Sequence, residues 1–76
     1  MTWRFHIDAI AQRRVFSRIL QVLENQSVSI HYFKGDVAEG MAHVAVVCSS
    51  EQDKAIRIQA LLYHLQGVRG VLIEEE

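Results

Sequence analysis

Two hydrophobic periods alternate along this chain in a fixed order, and that order limits the fold more than any other feature. In "WRFHIDA", residues 3 to 9, Trp3, Phe5, Ile7 and Ala9 fall on one face and Arg4, His6 and Asp8 on the other, the period of a strand with one buried side. From about Gln12 the period becomes helical, with Phe16, Ile19, Leu20 and Leu23 in line and Val15 and Val22 flanking. "SVSIHYF" alternates again, Val28, Ile30 and Tyr32 against Ser29, His31 and Phe33. "KGDVAEG" reads as a long polar tip, and "MAHVAVVC" resumes a strand. Residues 27 to 48 are thus predicted to form a hairpin centred near Val37. Ser50, three residues before Asp53, predicts a capping box for a second helix carrying the stripe Ile58, Leu61, Leu62 and Leu65. Gly67 suits the left-handed end of that helix. "VRGVLI" is the last strand, and "EEE" is predicted to be a solvated tail.

The element order is βαββαβ. A right-handed crossover in each βαβ half puts both helices on one face of a four-stranded antiparallel sheet. The expected fold is therefore α+β, a ferredoxin-like plait, and residues 1–76 form a single domain, because about 150 residues make one. A chain this short buries only about 60% of its unfolded surface. The uncovered sheet face is predicted to carry Arg4, His6, Asp8, His31, Phe33, Met41, His43 and Val47. The apolar members of that set favour self-association, so a homodimer is expected.

Charge and cysteine content narrow the function classes. Eight Lys and Arg against nine Asp and Glu give a net charge of -1 and no basic face for phosphate, so nucleic acid is not an expected partner. "MAHVAVVC" also lacks the basic and stacking residues with which related plaits bind RNA. Cys48 is the only cysteine, which excludes an intramolecular disulfide and a Cys-based zinc site. It is expected to be buried and structural. No apolar run approaches the roughly 20 residues of a membrane span, and the first residues lack a signal-peptide layout. A soluble, cytoplasmic protein is expected.

No nucleophile and base are placed together by the sequence, so neither an enzyme nor a cofactor is expected. The four histidines supply the one metal hypothesis. A hairpin centred near Val37 sets His31 opposite His43, with His6 or Asp8 one strand further on, enough for a transition metal with an open position. A one-residue slip in register removes that arrangement. His64 is expected on the helix surface.

"RRVFSRILQVLENQSVSI" resembles the first-helix region of ACT domains, in which a glycine-bearing turn precedes a "leucine, x, Arg-Val, x, x, leucine-Phe" helix leading to "Gly-aromatic-Asn-Ile". Phe16, Arg18, Ile19, Val22 and Leu23 match the helix, and Val28, Ser29 and Ile30 stand where aromatic-Asn-Ile would be. "LLYHLQGVRGV" is similar to the family's second-helix end, with Leu65, Val68 and Val71 in register. The likeness covers most of the chain, and within the family it is to the short small (regulatory) subunits of acetolactate synthase. What the resemblance implies is a non-catalytic regulator in branched-chain amino acid biosynthesis. Its partner would be the large catalytic subunit of a thiamine-dependent synthase.

In sensing ACT domains the turn after the first strand receives the carboxylate of an amino acid, with a glycine letting it approach the backbone amides. Here the corresponding residues are Ala11, Gln12, Arg13 and Arg14, without a glycine. Arg13 and Arg14 oppose the helix dipole at a cost of about 0.3–1 kcal/mol each. Ser29 replaces the amide of the family's Asn. Ala11, Gln12, Arg13, Arg14 and Ser29 are therefore read as a degenerate effector site, with weak or no amino-acid binding. The alternative is a free-standing ACT-like domain that binds a small ligand, or a transition metal through His31 and His43.

Overall fold

A computed structural model describes residues 1–76. The order is β1 (Thr2–Ile10), α1 (Val15–Asn25), β2 (Ser29–Ala38), β3 (Met41–Ser49), α2 (Gln52–Tyr63) and β4 (Val68–Glu75). The strands lie β2-β3-β1-β4, every neighbour antiparallel. This is the predicted plait. Strand alternation builds its core: Trp3, Phe5, Ile7 and Ala9 of β1 and Ala42, Val44, Val46 and Cys48 of β3 face one way. They meet Val15, Ile19 and Leu23 of α1 and Ala55, Ile58 and Leu62 of α2. No helix is long and apolar enough to cross a membrane.

Both helices are rotated slightly from their predicted stripes. α1 buries Val15, Ile19 and Leu23, one residue every four, and leaves Phe16 and Leu20 half-buried at its side. In α2, Ala55 joins Ile58 and Leu62 against the sheet, while Leu61 is exposed. The capping box does not form. Glu51 is the N-cap, with no side-chain bond to the helix, and the Ser50 hydroxyl donates instead to the Glu51 carbonyl at 3.1 Å. Ser50 serves the core rim through its backbone, its carbonyl accepting the Trp3 indole N–H at 3.1 Å. Gly67 is left-handed at φ 89°, but α2 already ends at His64, so Gly67 turns the chain into β4 rather than closing the helix.

The hairpin differs most from expectation. β2 runs on through Lys34–Ala38, and the connection is two residues, Glu39 at φ 53° and Gly40 at φ 78°. Two successive positive φ angles match the twist of antiparallel strands, so a short turn suffices where a long polar tip was predicted. The centre therefore moves from Val37 to the Glu39–Gly40 bond, and every pairing shifts with it. A bulge then leaves His31 without a partner between Ile30↔Cys48 and Tyr32↔Val47. The extra residue reverses the alternation beyond it. Phe33, opposite Val46, packs toward the helices, and Tyr32 takes the open face. Nor is "EEE" a tail: Glu74 and Glu75 belong to β4, and the Glu76 N–H donates to the Thr2 carbonyl at 2.9 Å.

Candidate functional site

The turn between β1 and α1 is held from both sides. The Ile10 N–H donates to the Gly67 carbonyl at 2.8 Å and the Ala11 N–H to the Gly40 carbonyl at 2.9 Å, tying the turn to the α2–β4 and β2–β3 connections. Gln12 packs across Gly67 so closely that a Cβ there would stand 2.7 Å from Gln12 Nε2. Arg14 is the N-cap of α1 with φ 67° and ψ 20°, the left-handed conformation a glycine adopts without strain. The turn has the backbone shape of a glycine corner while carrying a long cationic side chain on it. No side chain caps α1, and its first turn holds no acidic residue. Arg13 and Arg14 are exposed, and the ion pairs of the structure involve other residues.

Little room remains at the helix mouth. The crevice among Gln12, Val15, Arg18, Ile19, Leu65 and Val68 measures about 10 Å³. A single water needs about 10–15 Å³ by the same measure, so no amino acid enters it. Ser29 lies elsewhere. It pairs with Ser49, which pairs with Thr2, at the end of the sheet opposite to Ile10. Within one chain the structure thus gathers Ala11, Gln12, Arg13 and Arg14 but not Ser29.

The histidines are dispersed. His43 faces Asp36 on β2 and Asp8 on β1, and His43 Nδ1 shares a 2.7 Å hydrogen bond with Asp8 Oδ1. His31, at the bulge, bonds the Ser49 hydroxyl at 2.6 Å, and His6 Nε2 lies 2.9 Å from Glu74 Oε1. The expected His31 and His43 pair is therefore corrected: a two-residue turn moved the register, and no three His, Cys, Asp or Glu side chains converge. Cys48 is fully buried, and burial pushes its thiol pKa up, away from the thiolate that nucleophilic chemistry needs.

What the register does assemble is a tiled polar face. Arg4 pairs with Glu76 at 2.9 Å beside His6–Glu74 and Asp8–His43, and Lys34, Asp36 and Tyr32 extend the tiling across β2. The Glu76 carboxyl is held below the usual carboxylate range by its hydrogen bond from Arg4. A shallow basin of about 440 Å³ lies over this face, with cations Arg4 and Lys34 and anions Asp8 and Asp36 at its walls. Sequence reasoning missed Lys34, Asp36, Glu74 and Glu76. Reading "EG" at 39–40 as a two-residue hairpin turn would have found the first two.

The fold has many solved counterparts. The ACT domain of GTP pyrophosphokinase from Chlorobium tepidum superposes with a TM-score of 0.87 over 97% of both chains at 16% identity. The chain has the ACT-domain fold. An uncharacterized protein from Thermotoga maritima matches with a TM-score of 0.80 at 21% identity, over 96% of this chain and 92% of its own. The C-terminal domain of the MgtC protein from Mycobacterium tuberculosis matches with 0.78 at 12%, over 99% and 86%. At such identities the likeness is one of fold. No family model and no curated protein matches the sequence. The six elements of this plait run from Thr2 to Glu75.

Proposed function

We propose that this chain is a non-catalytic regulatory ACT domain that acts by protein contact. We assign it as the small regulatory subunit of acetolactate synthase, or a paralogue, working in the cytoplasm as a homodimer bound to the large thiamine-dependent subunit. The partner comes from the sequence likeness in the two helices. The observation that carries the mode of action is the β1–α1 turn. There Arg14 stands in the left-handed conformation that suits a glycine, no glycine is present, and the neighbouring crevice among Gln12, Val15 and Leu65 opens only about 10 Å³. A domain with so little room for an amino acid beside this turn is read as regulating through its surfaces. The test is to add the chain to an acetolactate synthase catalytic subunit at micromolar concentrations. Co-elution and a raised rate of acetolactate formation are expected; separate elution with an unchanged rate overturns the assignment.

A second reading rests on the open-face basin, whose opposed cations and anions suit a small zwitterionic ligand. Saturating ligand at 100 times its Kd raises stability by about 2.7 kcal/mol, so it is visible in thermal unfolding.

A further inference from the structure

The basin on the open face has a floor and two unlike ends. Along β3 the open-face positions between Met41 and Ser49 are His43, Ala45 and Val47, so a small side chain stands between two larger ones. Ala45 faces Lys34 of β2 on one side and His6 of β1 on the other, and the basin of about 440 Å³ opens over it.

The charges around it follow the strands. β1 and β2 are both antiparallel to β3 and therefore run the same way, with Lys34 level with His6 and Asp36 level with Asp8. Each strand places its cation first and its anion second, Arg4 before Asp8 and Lys34 before Asp36. The basin thus has a positive end and a negative end. Glu76 holds Arg4 at 2.9 Å and His43 holds Asp8 at 2.7 Å, whereas Lys34 and Asp36 are exposed and stand outside the ion pairs of the structure. The two charges of β2 are free to receive a ligand.

Spacing selects the kind of zwitterion. Two residues along a strand set Lys34 and Asp36 about 7 Å apart, and four residues set Arg4 and Asp8 about 13 Å apart. In a free α-amino acid one carbon carries both the ammonium and the carboxylate, which cannot then reach both ends. An extended chain advances about 3.3–3.6 Å per residue, so two or three residues carry their terminal charges about 7–10 Å apart. We propose that the basin binds the zwitterion of a di- or tripeptide, its carboxylate at Lys34 and its ammonium at Asp36. Between the ends, His6 Nε2 is used by Glu74 and His43 Nδ1 by Asp8, which leaves the second nitrogen of each ring for the peptide groups of the ligand. Because the basin is shallow, the ligand's side chains stay in water. Recognition then depends on the two termini and not on sequence.

This inference rests on the reading of the basin as a zwitterion site, and its test separates the two. Trialanine, its N-acetyl and C-amide forms, alanine and 6-aminohexanoate are titrated into the full chain, affinity being read from Tm and location from backbone amide NMR shifts. Trialanine is expected to raise Tm and to move the amides of Lys34, Asp36 and Ala45, and alanine to do neither. Blocking either terminus removes a hydrogen-bonded charge and is expected to weaken binding about tenfold or more. Lys34→Glu and Asp36→Lys are expected to weaken trialanine by a similar factor and to leave the ligand-free Tm almost unchanged, since both positions are exposed. Trialanine binding that ignores the blocked termini and both substitutions overturns the peptide assignment. Alanine or 6-aminohexanoate binding at the same amides as tightly as trialanine also overturns it, and leaves the zwitterion site standing. No binding of any of the five overturns both.

Discussion

The two faces of one sheet are built from the same strands and hold together by different means. On the helix side, alternate residues of β1 and β3 are apolar and buried, and the core cluster contains no charged residue. On the other side the intervening residues of the same strands include Arg4, His6, Asp8 and His43, each with a partner and each reached by water, beside Met41, Ala45 and the buried Val47. Burial of apolar area contributes about 25 cal/mol per Å², whereas an exposed ion pair contributes at most about 1 kcal/mol. The covered face therefore sets the fold, and the open face is free to serve recognition.

Substitutions on the two faces should differ accordingly. The largest effect is expected from Phe5→Ala, whose side chain is fully buried between the sheet and both helices. A loss of about 3–5 kcal/mol, read by urea denaturation, would unfold much of a domain whose total stability is about 5–15 kcal/mol. Gly35→Ala comes next. A Cβ there collides with the Phe16 ring, so about 1–3 kcal/mol is expected to be lost and partly recovered when Phe16→Leu is added. Arg14→Gly has the opposite sign. Relief of the left-handed strain should raise stability by up to about 1 kcal/mol, or about 4–8 °C in Tm.

On the open face His43→Ala removes only the bond to Asp8, and a cost below about 1 kcal/mol is expected in the same denaturation assay. A large loss there would break the division between the faces. The smallest effect concerns acid. Because the Glu76 carboxyl is held low by Arg4, its contribution is present above the ordinary carboxylate range and is lost as pH falls through the depressed value. Glu76→Gln should flatten that part of the pH dependence of Tm and leave neutral pH almost unchanged.

The covered face was legible in the sequence because burial imposes a period. Trp3, Phe5, Ile7 and Ala9 could be read directly, and so could the βαββαβ order. The open face was not, because its residues are placed by register, and register hangs on a turn. Glu39 takes a positive φ without being Asn, Asp or Gly, so the tip resembled a longer loop. That one misreading displaced His31 from His43 and hid Lys34 and Asp36. The bulge at His31 then exchanged Tyr32 and Phe33 between faces, and no residue type in "SIHYF" marks it. At the candidate effector site the missing glycine was visible. That Arg14 would hold the glycine's conformation was not, since composition does not report φ.

Central to the proposed function is a domain that works by contact rather than by sensing a free amino acid at the β1–α1 turn. The most direct measurement is thermal unfolding of the full chain alone and with each amino acid at millimolar concentration, led by valine, leucine and isoleucine. An unchanged Tm throughout is the predicted result. A rise of several degrees with one of them, abolished by Arg14→Glu, would contradict it and restore the β1–α1 turn as a working sensor.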